Sequence, residues 1–294
     1  MKIQFLGTAA AEGVPALFCD CETCRISRER RGRNIRTRSQ AFIDDKLLID
    51  MGPDTLMHEL NLGLDFTHIE HCLITHVHFD HYQLENFQMR QRGYANLAAD
   101  TKPLNVYGSQ ELYEKMVKPT TDVPVPSGKQ IGEGGRVNSD DSVFCHVIAP
   151  LTPTVIGDYE VTAIPACHGT REPYNYIIRS LAENKALLYA HDTSPWENEA
   201  VWEYFKTAKP HLDLVSMDCT CGDEELRGQR HHMCFSQNVQ LRERLLELGL
   251  CDDKTVFISN HFSHNGKDAA YDVFSVIAEK QGVLTSYDGM SVEF

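Results

Sequence analysis

The sequence has no uninterrupted apolar run of the roughly 20 residues that a membrane-spanning helix needs. Positive charge is scarce, since 28 Lys and Arg stand against 42 Asp and Glu and leave a net charge of −14. An acidic surface disfavours long-range attraction of nucleic acid, so we expect neither a membrane nor a nucleic acid as partner. Hydrophobic residues at 42% and charged residues at 24% exclude a disordered or fibrous chain and predict a globular protein.

A disulfide framework is also lacking, because 10 Cys among 294 residues are too sparse for a small secreted scaffold. The N-terminal apolar stretch is interrupted by Gln4 and Gly7, so it predicts an opening strand and not a signal peptide. We therefore expect a cytoplasmic protein. In a reducing compartment, clusters of Cys and His hold metals more often than they form disulfides.

Short β-rich runs alternate with amphipathic stretches along the chain. Strands are predicted at residues 2–6, 40–43, 46–50, 71–75, 104–107, 159–164, 174–179, 185–190, 212–217, 255–259 and 283–287. Helices are predicted at residues 54–62, 83–97, 110–118, 195–208, 237–248 and 267–281. The pattern predicts a single α/β domain over residues 1–294 with some antiparallel pairing. Residues 118–142, which are rich in Pro, Gly and Asp, are expected to form a long loop.

Histidine and aspartate are concentrated in residues 75–81 (THVHFDH), at the end of a predicted apolar strand. Where a chain leaves a strand, successive side chains fan out around one point, so His76 and His78 can share an ion. Asp80 and His81, further along, can reach a second ion. Nitrogen and oxygen ligands of this kind suit Zn, Mn or Fe better than Ca. A His-rich surface loop is the alternative, but it does not explain why the cluster ends an apolar strand.

Two ions need more ligands than this motif supplies. His168, Asp192 and His261 each follow a predicted strand within a few residues. A single His or Asp is usually structural or solvated. Three of them at strand ends, beside a cluster already present, favour a shared metal centre.

This order of motifs, HxHxDH and then a distant His, an Asp and a final His, resembles the metallo-β-lactamase superfamily. The resemblance covers nearly the whole chain and implies an αββα sandwich of two mixed β-sheets flanked by helices. It implies that two divalent ions, Zn or Mn, are bound by His76, His78 and His168 (first ion), by Asp80, His81 and His261 (second ion), and by Asp192 between them. It also implies that Asp50 orients a ligand histidine and that Asp80 takes part in catalysis.

A second constellation combines three thiols with a distant imidazole. Cys19, Cys21 and Cys24 form a CxCxxC motif expected to lie in a loop, and three thiolates leave a tetrahedral zinc site one ligand short. His264, three residues after His261, is the expected fourth ligand. The combination resembles the PhnP-type cyclic phosphate phosphodiesterases of the carbon–phosphorus lyase pathway, which carry a structural zinc beside the catalytic pair. Three free or buried thiols are the alternative interpretation.

Two further features bear on substrate binding. His231 or His232 resembles the additional histidine of phosphodiesterase branches, and His232, followed by Met, fits better as the residue that contacts phosphate. The stretch from Arg25 to Arg38 holds seven arginines and one glutamate. It either attracts a phosphorylated substrate or is a solvated basic segment.

The resemblance implies hydrolysis of a small, cyclic phosphodiester by a hydroxide held between the two metals. 5-Phosphoribosyl 1,2-cyclic phosphate is the expected substrate, and the family suggests a homodimer. A tRNA 3′-processing endonuclease shares the dinuclear site, although the acidic charge disfavours it. A non-catalytic, metal-stabilised binding protein of cofactor biosynthesis is the alternative from another class.

Overall fold

The computed structural model of the protein describes residues 1–117, 135–224 and 230–294. The first sheet of this part of the chain has eight strands. Their spatial order is β15 (Ser291–Glu293), β1 (Lys2–Gly7), β2 (Gln40–Ile43), β3 (Leu47–Ile49), β4 (His71–Leu73), β5 (Leu104–Gly108), β7 (Val143–Val147) and β6 (Gly135–Arg136).

The second sheet contributes seven strands within the same described ranges. Their spatial order is β14 (Leu284–Thr285), β13 (Val256–Asn260), β12 (Leu214–Asp218), β11 (Ala186–Ala190), β10 (Tyr174–Ser180), β9 (Tyr159–Pro165) and β8 (Thr154–Ile156). Strands β11 to β14 are parallel, whereas β8 to β11 pair antiparallel, so the sheet is mixed.

The helices of the described residues cover the outer faces of the sheets. They are α1 (Glu22–Arg30), α2 (Thr55–Leu62), α3 (Leu84–Gln88), α4 (Gln110–Val117), α5 (Glu199–Ala208), α6 (Phe235–Glu247) and α7 (Tyr271–Glu279). None of these helices is long and apolar enough to span a bilayer.

Three apolar layers hold the sandwich together. The central layer joins the inner faces of both sheets, for example Phe5 of β1 and Tyr176 of β10. The outer layers join one sheet to α3 and α4 and the other to α5, α6 and α7. Leu187 of β11 packs in the central layer and its neighbour Leu188 packs under the helices, which explains why this parallel strand is apolar throughout. The arrangement confirms the predicted αββα sandwich.

Several predicted elements differ from the structure. The helix predicted at 83–97 is wrong beyond its first turns: α3 ends at Gln88, and Gly93 adopts a φ of 103°, which a helix does not allow. The helix predicted from residue 195 begins only at Glu199, because the Asn198 side chain accepts a hydrogen bond from Ala200 N and caps that end. The helix predicted at 267–281 is shorter, since α7 spans Tyr271–Glu279.

The CxCxxC motif does not lie entirely in a loop. Cys21 is the N-cap of α1, and Cys24 lies inside this helix. Helix α1 was not predicted because its buried face consists of Thr23, Cys24 and Ser27 and gives no apolar stripe. Strands β6, β7, β8 and β15 were also not predicted. Of the loop predicted at 118–142, residues 118–134 lie outside the described residues, and Gly135–Arg136 form β6.

Candidate metal centre

The candidate centre is assembled from segments that leave β3, β4, β9, β11 and β13. Asp50 follows β3 and holds the start of the histidine motif, because its carboxylate accepts hydrogen bonds from Thr75 N (2.8 Å) and Thr75 Oγ1 (2.9 Å). Asp50, Asp192 and His261 adopt left-handed backbone conformations, with φ of 67°, 51° and 62°. Such conformations are costly for residues with a side chain and concentrate at functional sites.

The first cluster consists of His76, His78 and His168, whose candidate ligand atoms lie within 4.8 Å of one another. His78 Nδ1 lies 3.0 Å from His76 Nε2 and 3.1 Å from His168 Nε2. Burial, reinforced by the neighbouring His81, lowers the pKa of His76 well below its usual value. Neutral imidazoles present lone pairs as well as N–H groups, so three of them can ligate one cation.

The second cluster consists of Asp80, His81, Asp192 and His261, all buried and again within 4.8 Å. His81 Nδ1 lies 2.7 Å from Asp50 Oδ2 and donates to it, since an ionised carboxylate only accepts. His81 Nε2 lies 2.6 Å from Asp192 Oδ2, and His261 Nε2 lies 3.3 Å from the same oxygen. Both nitrogens are buried, and neither makes a hydrogen bond of good geometry among the described residues. A cation between these nitrogens and the carboxylates satisfies all of them, so the donor set fits a metal.

Asp192 connects the two clusters. One carboxylate oxygen, Oδ2, lies 3.4 Å from His76 Nε2 and 3.3 Å from His261 Nε2. Burial alone would raise the pKa of Asp192, but His261, His81 and His168 outweigh it and hold that pKa well below the usual value. The ionised Asp192 side chain is therefore positioned between the two sets of histidines.

The seven predicted ligands of the pair are thus brought together from four strand ends. Their assignment to individual ions stays a prediction.

His232 lies next to this centre, and the structure favours it over His231. His232 Nδ1 is 3.3 Å from Asp192 Oδ1 and 3.2 Å from Asp218 Oδ2, whereas the side chain of His231 is exposed. Burial opposes protonation of His232, but the Asp218 carboxylate outweighs it and raises the pKa of His232 to about 9. The candidate ligand atoms of Asp192, Asp218, His232 and His261 lie within 4.8 Å of one another, so His232 directly adjoins the second cluster.

Asp218 is the residue of this site that the sequence analysis missed. It is the last residue of β12 and fully buried, and its Oδ1 accepts hydrogen bonds from Thr220 N and Met233 N, both at 3.0 Å. The available signal was its position, since Asp218 follows a predicted strand just as Asp192 and His261 do.

The thiol cluster consists of Cys19, Cys21, Cys24 and His264, whose candidate ligand atoms lie within 4.8 Å of one another. His264 Nδ1 is 3.3 Å from Cys19 Sγ and 3.6 Å from Cys21 Sγ. Three sulfurs and one nitrogen form the complete tetrahedral set of a structural zinc site. The predicted grouping of these residues is therefore present in the fold.

Several arginines of the stretch from Arg25 to Arg38 form contacts within the protein that stabilise the fold. Arg36 is buried, donates to Thr8 Oγ1 (2.9 Å) and lies over the ring of Phe262. Arg38 forms an ion pair with Asp54, Arg30 one with Asp272, and Arg33 lies over the Tyr287 ring. None of these arginines lines the cavity at the metal clusters, as far as the described residues show.

A cavity of about 200 Å³ opens onto the clusters. It is lined by Ala10, Ala11, Glu12, His78, Asp80, His168, Asp192, Thr220, His232, His261, Ser263 and Asn265. The cavity leaves room for a small substrate beside the candidate ligands.

The chain matches the beta-lactamase superfamily domain over residues 45–249. It therefore belongs to the metallo-β-lactamase superfamily, as the motifs predicted. All of the chain aligns with a diphosphatase of the PhnP family (TM-score 0.68, 20% identity, 97% of that chain covered). It also aligns over its full length with Zn²⁺-bound PqqB from Methylobacterium extorquens (0.67, 16%, 100%) and with the short form of human tRNase Z (0.60, 16%, 99%). No curated protein sequence matched the chain.

At these identities the likeness to solved structures concerns the fold. Membership of the superfamily implies binding of divalent metal, and the clusters of nitrogen and oxygen donors fit it. Together they fit a metal-dependent hydrolase.

Proposed function

We propose that the protein is a metal-dependent phosphodiesterase that acts on a small, cyclic or linear phosphodiester. The observation that carries the proposal is the arrangement around Asp192: its carboxylate lies between the first and second clusters, with His232 beside it at the same cavity. A centre with two groups of ligands and an adjacent imidazole suits the in-line displacement of an alcohol from phosphorus.

The first cluster would hold one divalent ion and the second cluster the other, with Asp192 shared. Divalent ions bound there would lower the pKa of a water molecule and offset negative charge on the phosphoryl oxygens. Asp50 accepts a hydrogen bond from His81 Nδ1 and so directs His81 Nε2 toward Asp192. This outer carboxylate therefore fixes the orientation of a ligand before any metal arrives.

His232 would contact the phosphate or protonate the departing alkoxide. Its Nδ1 donates to the Asp218 carboxylate, which leaves Nε2 for the substrate. Because Asp218 raises the pKa of His232 to about 9, the imidazole carries a proton at neutral pH. A positioned, protonated imidazole is suited to general acid catalysis of alcohol departure.

The thiol cluster would hold a structural zinc ion. His264 follows His261 by three residues in the turn after β13, so an ion bound to the thiols would join the N-terminal segment to the cavity wall. The expected benefit is stability of this wall rather than chemistry at the substrate.

A metal-dependence assay tests the proposal. Protein stripped with a chelator is reloaded with Zn or Mn and assayed with bis-p-nitrophenyl phosphate and with 5-phosphoribosyl 1,2-cyclic phosphate. We expect release of p-nitrophenol that requires added metal. If metal binds but neither phosphodiester is cleaved, the result favours a binding protein. Salt-sensitive binding and cleavage of tRNA precursors would favour an endonuclease instead.

A further inference from the structure

One wall of the cavity is polar and negatively charged. It is formed by Glu12, Ser263 and Asn265, which come from the segment after β1 and from the turn after β13. Asn265 Nδ2 donates to Glu12 Oε1 (3.3 Å), and Asn265 N donates to Ser263 Oγ (3.1 Å). The two chain segments are therefore joined directly at the rim of the cavity.

This wall has the wrong charge for a second phosphate group. Among the described residues that line the cavity there is no Lys or Arg, whereas phosphate groups are normally recognised by such side chains. The basic stretch from Arg25 to Arg38 was the candidate for this role, and three of its arginines, Arg30, Arg36 and Arg38, are engaged with Asp272, Thr8 and Asp54. A second phosphate beside Glu12 would face a like charge, and no Lys or Arg of the described cavity lining would offset it.

The same wall is well suited to hydroxyl groups. An ionised carboxylate only accepts hydrogen bonds, and Glu12 Oε1 already accepts one from Asn265 Nδ2, so a sugar hydroxyl can donate to the second oxygen, Oε2. A carboxylate that accepts from ribose hydroxyls is also how dinucleotide-binding folds recognise that sugar. The amide of Asn265 can both donate and accept, which matches a second hydroxyl.

We propose that Glu12 and Asn265 form a hydroxyl-binding subsite that selects phosphodiesters of a sugar or polyol without a second phosphate. This inference rests on the proposed phosphodiesterase function and narrows its substrate class. It also means that a terminal phosphate on the substrate weakens binding at this wall.

Three substrates that share the reaction but differ at this wall test the subsite. Ribose 1,2-cyclic phosphate offers hydroxyls, 5-phosphoribosyl 1,2-cyclic phosphate adds a phosphate, and bis-p-nitrophenyl phosphate has neither. We expect the wild-type protein to prefer the first, and Glu12→Gln to raise its KM by about tenfold, since a hydrogen bond to a charged group is lost. The same variant should lower kcat/KM for bis-p-nitrophenyl phosphate much less than for ribose 1,2-cyclic phosphate, because the nitrophenyl ester offers this wall no hydroxyl group.

Glu12→Lys provides the reverse test and should shift preference toward the 5-phosphorylated substrate. Glu247→Lys, at an exposed position of α6 outside the cavity lining, is the matched control and should change none of these preferences. The inference is overturned if the Glu12 variants affect all three substrates equally, or if the wild-type protein prefers the 5-phosphorylated substrate. If no phosphodiester at all is cleaved in the presence of metal, the proposed function itself fails, and the subsite assignment fails with it.

Discussion

The histidine–aspartate clusters and the thiol cluster share the turn that follows β13, yet their donor atoms differ. His261 belongs to the second cluster and His264 to the thiol cluster. The first type of site combines nitrogen and oxygen donors beside an open cavity, whereas the thiol cluster offers three sulfurs and a nitrogen. Open sites with mixed donors leave coordination positions for reactants, while closed sulfur-rich sites contribute folding free energy. One turn therefore links the region proposed for chemistry to the region proposed for stability.

The strongest test of this contrast is Asp192→Asn. The amide keeps the size of the side chain but removes the charge that lies between the two sets of histidines, so we expect kcat/KM for bis-p-nitrophenyl phosphate to fall by more than about 100-fold. Metal analysis should show loss of the catalytic ions with thiol-bound zinc retained, and thermal unfolding should change little.

Asp253→Asn is the matched control, since Asp253 is exposed in the turn before β13. It should behave as wild type. If Asp192→Asn instead unfolds the protein, Asp192 is a structural residue. The histidine–aspartate clusters would then contribute to stability as the thiol cluster does, and the proposed difference between them would be wrong.

Cys21→Ala tests whether the thiol cluster holds a structural zinc ion. Loss of one thiolate should release the zinc of the thiol cluster and destabilise the fold by several kcal/mol, on the order expected for a structural metal. Metal analysis should report one zinc fewer, and the melting temperature should drop. Activity measured well below that temperature should survive in part.

Cys251→Ala is the control for the loss of a buried thiol, because Cys251 is buried but belongs to none of the clusters found in the described residues. It should cost packing energy without loss of zinc. Unchanged melting and zinc content in Cys21→Ala would contradict a structural metal site.

Asp218→Asn should have a smaller effect that is confined to catalysis. The variant removes the charge that raises the pKa of His232, so kcat should fall by about tenfold to 100-fold and the pH profile should shift. Metal content and melting should stay close to those of the wild type.

A double-mutant cycle separates positioning from other effects. If Asp218 acts through His232, Asp218→Asn should add little to the loss already caused by His232→Ala. Additive losses would show that Asp218 has an independent role.

The smallest expected effect concerns Asp288, a half-buried carboxylate that belongs to neither the metal clusters nor the cavity lining found in the described residues. Asp288 accepts hydrogen bonds from Thr8 Oγ1 (2.7 Å) and Thr37 Oγ1 (2.6 Å), and burial raises its pKa to about 6. Because the unfolded state ionises at lower pH, the folded state is stabilised below about pH 4 and loses that advantage as pH rises through 6.

Denaturant unfolding of wild type and Asp288→Asn between pH 4 and pH 7 measures this effect. The difference in free energy of unfolding between the two proteins should move in favour of the variant as pH rises, whatever the constant cost of the altered hydrogen bonds. A difference that does not vary with pH would mean that Asp288 titrates normally.

Local sequence was sufficient for most of the site residues that follow a strand, and Asp218 is the exception. The motif at residues 75–81 and the isolated His168, Asp192 and His261 were recognised because each comes directly after an apolar run. These strand ends belong to both sheets and meet at one edge of the sandwich, as residue type and position predicted. The order of strands and helices predicted an α/β domain, and the resemblance of the motifs to the metallo-β-lactamase superfamily implied the αββα sandwich.

The sequence did not predict the role of residues whose contacts lie far away along the chain. Helix α1 buries Thr23, Cys24 and Ser27, a face without an apolar signature, so its pattern resembles a polar loop. The arginines after it looked available for a substrate, but Arg36 is buried against Phe262, which lies more than two hundred residues further along the chain.

The sequence by itself thus determined which donor atoms this protein carries and that they stand at strand ends, because side-chain chemistry and strand periodicity are local properties. Only the tertiary structure decided that His232 rather than His231 joins Asp192, that Asp218 sits behind it, and that Glu12 meets Asn265 at the cavity. These choices depend on how segments far apart in the chain pack against each other, and packing is set by the whole fold.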